Sequence, residues 1–229
     1  MKFYGFQKMT MLDFPGRVAC TVFTGGCNLR CPFCHNALLV TQVDNVVYDE
    51  EEILDYLKKR KGLLDGICVS GGEPLLQIGL ESFLQKVKEL GFKVKLDTNG
   101  TFPARLKSLV EKGLVDYVAM DIKNCKDKYA LTTGTDSFDI SKIEESVAFL
   151  LKDTVDYEFR TTIVDGLHET QDIVKIGEWI QGAKKYFLQN FVDSGNLIKS
   201  GLKAVSLDKL KEFAKLLENS VGKISLRGV

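Results

Sequence analysis

Three closely spaced cysteines lie in the segment "GGCNLRCPFCHN" (25–36). Cys27, Cys31 and Cys34 form a C-x3-C-x2-C pattern, and His35 directly follows the last of them. Thiolates and imidazoles are common ligands of zinc, thiolates hold iron–sulfur clusters, and a C-x-x-C pair is also a redox motif. The segment is therefore a candidate metal or redox site.

Four kinds of site use cysteines in such a pattern. A structural zinc site needs four ligands, so His35 would have to join the cysteines although it is adjacent to Cys34. The letters "CPFCH" match c-type haem attachment and "CPFC" matches a thioredoxin-like pair, but both leave Cys27 unused. A cubane iron–sulfur cluster normally takes four thiolates, so three cysteines leave one iron open. This last site uses all three thiols, and we favour it.

The composition is that of an ordinary globular protein. The 229 residues are 45% hydrophobic and 27% charged, and Lys+Arg and Asp+Glu are both 31. The balanced charge gives no global field that would favour nucleic acid or an anionic membrane. No apolar run approaches the roughly 18 residues of a membrane-spanning helix, and the N-terminus does not resemble a signal peptide. We expect a cytoplasmic chain, in which Cys20, Cys68 and Cys125 are buried apolar side chains.

The rest of the chain alternates between two hydrophobic patterns. Runs rich in β-branched and aromatic residues predict six strands, and segments with apolar residues near i, i+3, i+4 and i+7 predict helices. Such alternation is typical of a mostly parallel α/β sheet. The predicted strands span 17–24, 66–71, 92–99, 115–123, 156–164 and 184–191, and the predicted helices span 48–60, 77–90, 104–113, 140–152, 169–181 and 206–219.

Six β/α units can form a doubly wound sheet or an incomplete barrel, and in both the chemistry lies at the carboxyl ends of the strands. The unusual segments fall at these ends. The cysteine segment follows the first predicted strand, "SGGEP" (70–74) the second, "DTNG" (97–100) the third and "DIKN" (121–124) the fourth, while Arg160 lies within the fifth. We therefore expect one site at this edge of the sheet.

Two of these motifs resemble the hallmarks of the radical S-adenosylmethionine (radical SAM) superfamily. The cysteine segment has its C-x3-C-x-aromatic-C pattern, with Phe33 as the aromatic residue, and "SGGEP" resembles its second motif. The resemblance implies an incomplete (β/α)6 TIM-like barrel with mostly parallel strands. We expect a single domain over 1–229, with a short N-terminal segment (1–16), a core (17–191) and a C-terminal helix and strand (192–229).

The resemblance also implies cofactors. Cys27, Cys31 and Cys34 would bind a [4Fe-4S] cluster whose open iron is chelated by S-adenosylmethionine (SAM), and reduction of SAM would give a 5′-deoxyadenosyl radical. In similar enzymes the second motif contacts the SAM amino group, and "DTNG" and D-x-K segments hold its other polar groups, directly or through a monovalent cation. The cofactor-binding candidates carried over to this chain are Phe33, Gly71, Gly72, Glu73, Pro74, Asp97, Thr98, Asn99, Asp121, Lys123, Arg160 and Gln189.

Within the superfamily the chain is most similar to the glycyl-radical enzyme activating enzymes, and among them to activating proteins of anaerobic ribonucleoside-triphosphate reductase. Residues 10–36 resemble the opening of those proteins, and the likeness continues to "FRTTIV" (159–164) and "YFLQNF" (186–191). The resemblance implies that the chain abstracts hydrogen from a glycine of the reductase, with a flavodoxin or ferredoxin-type electron donor and without nucleic acid or membrane.

The chain departs from the family pattern in two respects. It has no further cysteine cluster, and hence lacks the ferredoxin-like insert of many activating enzymes. His168 follows the fifth predicted strand, whereas some relatives place a SAM-contacting histidine near the C-terminus, so Gln189 would take that contact. Other hypotheses stay open. They are activation of pyruvate formate-lyase or another glycyl-radical enzyme, a small-molecule radical reaction, and, from a different class, a non-catalytic zinc-binding interaction module.

Overall fold

The computed structural model describes residues 1–41, 48–135 and 138–228. None of the helices in these ranges is long and apolar enough to span a bilayer. The strands are β1 (Lys2–Phe3), β2 (Gly5–Thr10), β3 (Ala19–Thr24), β4 (Tyr48–Asp49), β5 (Gly66–Gly71), β6 (Lys93–Thr98), β7 (Tyr117–Asp121), β8 (Asp156–Ile163), β9 (Tyr186–Asn190) and β10 (Ile224–Arg227). The α-helices are α1 (Ala37–Thr41), α2 (Glu50–Lys59), α3 (Leu80–Glu89), α4 (Pro103–Glu111), α5 (Tyr129–Thr133), α6 (Ser141–Leu150), α7 (Thr170–Trp179) and α8 (Leu207–Leu216).

Eight strands form one sheet in the order β2-β3-β5-β6-β7-β8-β9-β10. All neighbours from β3 to β10 are parallel, and only β2 is antiparallel, to β3. The parallel strands follow chain order without the reversal that marks the switch point of a doubly wound sheet. This confirms the incomplete TIM-like barrel. In the described part of the chain β2 and β10 do not pair, so the sheet stays open between them.

The helices that cross between strands cover one face of the sheet with their apolar side. In α2, Ile53 and Leu57 are buried, whereas Glu51, Asp55 and Lys58 are exposed. Its start is fixed by a capping box: Asp49 accepts the Glu52 N–H, and the Glu52 carboxylate accepts the Asp49 N–H, both at 2.9 Å. Such reciprocal bonds satisfy two backbone donors that a helix otherwise leaves free. Local sequence therefore sets where this crossover begins.

The buried carboxylate of Glu158 forms an ion pair with the last strand of the sheet, β10. Glu158 on β8 is 1% exposed, and it accepts a hydrogen bond from the Tyr117 hydroxyl on β7 at 2.9 Å. Its other oxygen lies 3.2 Å from Nη1 of Arg227 on β10. The Arg227 guanidinium also stacks 3.6 Å from the ring centroid of Phe187 on β9. These contacts attach β10 directly to β8 and β9, and Tyr117 on β7 bonds the same carboxylate.

The six predicted strands and six predicted helices are present, with ends displaced by a few residues. The predicted C-terminal helix and strand are α8 and β10, and β10 extends the parallel sheet to seven strands. The strands of segment 1–16 were not predicted. The reason is visible in β2, an edge strand whose residues Gln7, Lys8 and Met9 are all exposed, so it has no alternation of apolar and polar residues. Segment 124–139 was predicted only as a connection and contains α5, but residues 136–137 lie outside the described ranges.

We expect Arg227→Met to lower the free energy of unfolding by about 1–3 kcal/mol, because it leaves the buried Glu158 carboxylate without its cation. Methionine keeps the apolar stem of the side chain. The matched control is Lys58→Met, which removes the cation of an exposed pair with Asp55 and is expected to change stability by less than about 1 kcal/mol. Urea denaturation measures both. Equal losses in the two variants would contradict the role given to Arg227.

Candidate active site

The cysteine loop lies at the carboxyl edge of the sheet, between β3 and α1. Its first residues contact the loop that follows β5: the Glu73 N–H donates to the Gly26 carbonyl at 2.8 Å, and the Gly72 N–H donates to the Thr24 carbonyl at 2.9 Å. A Cβ atom on Gly72 would stand 1.9 Å from the Gly26 oxygen, so only glycine fits at this crossing. The second motif thus allows two backbone segments to meet closely.

The outer side of the cysteine loop is held by residues distant in sequence. The Arg30 N–H donates to Thr133 at 2.9 Å, and the Lys199 N–H donates to Pro32 at 3.0 Å. The Arg30 guanidinium also bonds the Cys27 carbonyl at 2.5 Å. Leu29, Cys31 and Phe33 of the loop pack with Val164 and Phe191 in a small apolar cluster. The loop is therefore fixed on both sides by packing and backbone bonds.

Cys27, Cys31 and Cys34 are free thiols that line one cavity of about 260 Å³. Burial raises the pKa of each thiol, to about 12 for Cys31, while the nearby Lys123 ammonium acts to lower all three pKa values. In the ranges that the structure describes, no three His, Cys, Asp or Glu side chains converge on a point where one metal ion could be held. The three thiols share one cavity wall.

Five charged side chains beside the thiols alternate in sign, in the order Lys95, Asp97, Arg160, Asp121 and Lys123. Lys95 Nζ contacts Asp97, and Arg160 bridges the two carboxylates, with Nη1 3.3 Å from Asp97 and Nε 2.9 Å from Asp121. Lys123 Nζ lies 2.9 Å from the second Asp121 oxygen. Burial alone would raise the pKa of both carboxyl groups, but the neighbouring cations outweigh it and hold both pKa values below their usual range.

The strand register produces this arrangement. Asp121 on β7 and Arg160 on β8 are direct partners in the parallel ladder, and Lys95 and Asp97 are two residues apart on β6. Side chains two residues apart on a strand point to the same face. The register of three neighbouring strands therefore brings two carboxylates and two cations together, and all four groups lie on strands. With Lys123, the five groups carry three positive and two negative charges.

Glu73 and Pro74 are the two predicted site residues that the structure does not bring to the cavity. Glu73 is fully buried, and its carboxylate accepts bonds from Asn99 N at 2.7 Å, Thr98 Oγ1 at 2.9 Å and Leu75 N at 3.0 Å. Burial raises the pKa of Glu73 to about 7, although the three donors act to lower it. Its carboxylate therefore ties the loop after β5 to the loop after β6.

All other predicted site residues line the cavity, and so do residues that the sequence did not single out. Ser70 precedes the paired glycines and donates to Asp97 at 3.0 Å, and Asn36 donates to the Gly71 carbonyl at 3.0 Å. Thr162 lies two residues beyond Arg160 on the same strand face, so the period of a strand could have indicated it. The predicted residues at the cavity are Cys27, Cys31, Phe33, Cys34, Gly71, Gly72, Asp97, Thr98, Asn99, Asp121, Lys123, Arg160 and Gln189.

The two histidines have different surroundings. His168 is fully buried; its Nδ1 accepts the Val164 N–H at 3.1 Å and its Nε2 lies 2.9 Å from the Lys123 carbonyl, so it supports the strand end that carries Lys123. His35 lines the cavity, and its Nε2 is buried without a hydrogen-bond partner among the described residues. A buried polar atom normally has a partner, so an unpartnered one in a cavity wall points to a bound ligand.

Sequence comparisons identify relatives along nearly the whole chain. The profile of the Radical SAM superfamily matches residues 21–180. A Methanocaldococcus jannaschii protein that is provisionally named a glycyl-radical enzyme activating enzyme is 30% identical, over 98% of this chain and 95% of its own length. The pyruvate formate-lyase-activating enzyme of Staphylococcus epidermidis is 31% identical, over 76% of this chain and 73% of its own.

Solved structures share the fold at lower identity. Streptococcus suis SuiB bound to the precursor peptide SuiA superposes with a TM-score of 0.69 and 14% identity, covering 91% of this chain and 48% of that longer chain. A domain of pyruvate-formate lyase-activating enzyme from Bacteroides vulgatus gives 0.58 and 18%, covering 71% of this chain and 99% of the domain. Together with the sequence matches, the common barrel and its thiol-lined edge make this chain a member of the radical SAM superfamily, in its group of glycyl-radical enzyme activating enzymes.

Proposed function

We propose that the chain activates an anaerobic ribonucleoside-triphosphate reductase by abstracting a hydrogen atom from one of its glycines. The cavity is the observation that supports the proposed reaction, since three free thiols line it together with Asp121, Lys123 and Arg160. The choice of the reductase is supported by residues 10–36, which resemble the opening of reductase-activating proteins. The electron would come from a flavodoxin or ferredoxin-type donor.

Radical SAM enzymes use a [4Fe-4S] cluster and SAM, and the residues present fit both. We assign the cluster to Cys27, Cys31 and Cys34, because a thiolate set is what such clusters require and three ligands leave one iron open. When bound, the two cofactors supply the reductive cleavage of SAM and the hydrogen abstraction. The protein's own part is to line the cavity and to place the Lys123 ammonium near the thiols, where it opposes the effect of burial and favours the thiolate form. Cys31 also belongs to an apolar cluster with Phe33 and Val164.

The charged side chains suit the polar groups of SAM. A carboxylate of the ligand would be attracted to Arg160 and Lys123, and an ammonium to Asp97 and Asp121, since these four partly buried groups line the cavity. A monovalent cation beside Asp97 and Asp121 would have to compete with Lys95, Arg160 and Lys123, which already contact both carboxylates. We further assign Phe33, Gly71, Gly72, Thr98, Asn99 and Gln189 to the walls around both cofactors.

The open side of the sheet supports a macromolecular substrate. In the described residues β2 and β10 end the sheet without pairing, so the cavity edge is not enclosed by a complete barrel. A peptide loop of a partner enzyme can approach through such an opening, whereas a small metabolite is usually enclosed by its site. Pyruvate formate-lyase is the second candidate partner, and the two relatives from Methanocaldococcus and Staphylococcus support an activating role without choosing between them.

We expect Cys31→Ala to lose nearly all cluster iron and sulfide after anaerobic reconstitution, because it removes one of three ligands. The matched control is Cys20→Ala, since Cys20 is also buried but belongs to the main core rather than to the cavity. Iron and sulfide analysis and the absorption spectrum measure both variants. A cluster that survives in Cys31→Ala, or disappears equally in Cys20→Ala, would contradict the ligand assignment.

We expect Lys123→Met to raise the pKa of the Cys31 and Cys34 thiols in the metal-free chain, because the ammonium that favours their thiolates is removed. Alkylation rates measured against pH, with fragment mass spectrometry to separate the cysteines, test this change. Lys209→Met is the control, since Lys209 is exposed on α8 and pairs with Asp165. Equal thiol pKa values in Lys123→Met and the control would show that Lys123 does not act on the thiols.

We expect the reduced protein with SAM to create an organic radical on an anaerobic ribonucleoside-triphosphate reductase. Electron paramagnetic resonance (EPR) detects the radical, and replacement of the partner's target glycine by alanine should abolish it. Pyruvate formate-lyase is tested in parallel under the same conditions. A radical on pyruvate formate-lyase alone would assign the chain to that partner, and SAM cleavage without a radical on either protein would overturn both assignments.

A further inference from the structure

The side chain of Asn99 connects the loop after β6 to a cysteine of the proposed cluster. Its Nδ2 lies 3.7 Å from Cys27 Sγ and 3.0 Å from Asn28 Oδ1. On its other side, Asn99 Oδ1 accepts the Thr101 N–H at 3.0 Å and the Thr101 hydroxyl at 2.6 Å. Asn28 Nδ2 completes a closed ring by donating to Thr101 Oγ1 at 2.9 Å.

This ring determines which way the Asn99 carboxamide points. A backbone N–H can only donate, so the atom that faces Thr101 N must be the oxygen, and the NH2 group must face Cys27. The two hydrogens of Nδ2 are then both used, one by Asn28 Oδ1 and one by the Cys27 sulfur. The Asn99 side chain has no donor left over for another ligand.

The position of the carboxamide is also fixed by burial. Asn99 is 6% exposed and Thr101 is 5% exposed, so neither side chain can exchange its partners freely for water. The Asn99 N–H donates to Glu73 at 2.7 Å, which anchors the backbone of the same residue. A hydrogen bond held in this way is present before any electron arrives, so its energy can act on the cluster without a rearrangement of the protein.

We propose that Asn99 is a positioning residue that raises the reduction potential of the cluster by donating a hydrogen bond to Cys27 Sγ. The inference rests on the proposed function, in which Cys27 is a cluster ligand. One added electron increases the negative charge on the cluster sulfurs, and a fixed N–H donor stabilises that charge. Leu29 N also lies 3.4 Å from the same sulfur, and this backbone donor is retained when Asn99 is substituted.

The test is a potentiometric titration of the reconstituted protein without SAM, in which each cluster takes one electron from dithionite and EPR counts the reduced clusters. Asn99→Leu removes the donor with a side chain of similar shape and no charge. We expect the ratio of reduced to oxidised cluster at a fixed solution potential to fall about five- to tenfold, tenfold being about 59 mV.

Two further variants separate the hydrogen bond from charge and from folding. Asn99→Asp keeps an oxygen for the Thr101 donors but removes both N–H groups and adds a negative charge. Asn28→Asp adds the same charge beside Cys27 while keeping the Asn99 donor. We expect Asn99→Asp to lower the ratio more than Asn28→Asp does, and circular dichroism confirms that each variant is folded.

The outcomes are distinguishable. An unchanged ratio in folded Asn99→Leu, or equal decreases in the two aspartate variants, would overturn the role of Asn99 while leaving the cluster assignment intact. If Asn99→Leu does not fold or does not assemble a cluster, the reduced-to-oxidised ratios of Asn99→Asp and Asn28→Asp decide whether Asn99 has the proposed role. A wild-type protein that assembles no cluster would overturn the proposed function itself, and the inference with it.

Discussion

The bridge that Arg160 forms between Asp97 and Asp121 is the interaction on which the site depends. The two carboxylates lie on different strands, and the guanidinium on a third strand contacts both at 3.3 Å and 2.9 Å. Two neighbouring like charges repel each other; Lys95 and Lys123 each offset one carboxylate, whereas the guanidinium offsets both. The bridge therefore requires the parallel register of three strands and keeps two ionised acids at the cavity.

The cysteine loop is joined to this edge by a close backbone approach and by hydrogen bonds. Gly72 lets the loop after β5 pass the Gly26 carbonyl, and Glu73 fastens that loop to Thr98 and Asn99. Asn99 in turn contacts Cys27. The thiols are thus connected to the sheet by one continuous path of hydrogen bonds. A substitution of Glu73 is therefore expected to affect the thiols, although the Glu73 carboxylate does not face the cavity.

The sequence predicts one site at the carboxyl edge of the sheet, and most of the expected residues line a cavity there, because two simple rules apply. Hydrophobic alternation gave the strand ends, and parallel strands bring all their carboxyl ends to one edge. Sequence reasoning could not separate residues that face the cavity from those that support it. Glu73 and Gly72 are neighbours in one motif, yet Glu73 points into the protein and Gly72 lines the cavity. Edge strand β2 was missed for a related reason, since its exposed residues carry no burial pattern.

The structure divides the motif residues into two groups that the motifs alone do not distinguish. Asp97, Asp121, Lys123 and Arg160 place charged groups in the cavity wall, whereas Glu73 and Asn99 have their side-chain acceptors and donors occupied by the protein. Such saturated groups gain little from contacting a cofactor, because each new bond would break an existing one. Their value lies in rigidity: they hold the thiols and the charged groups at fixed separations, so binding need not first organise the site.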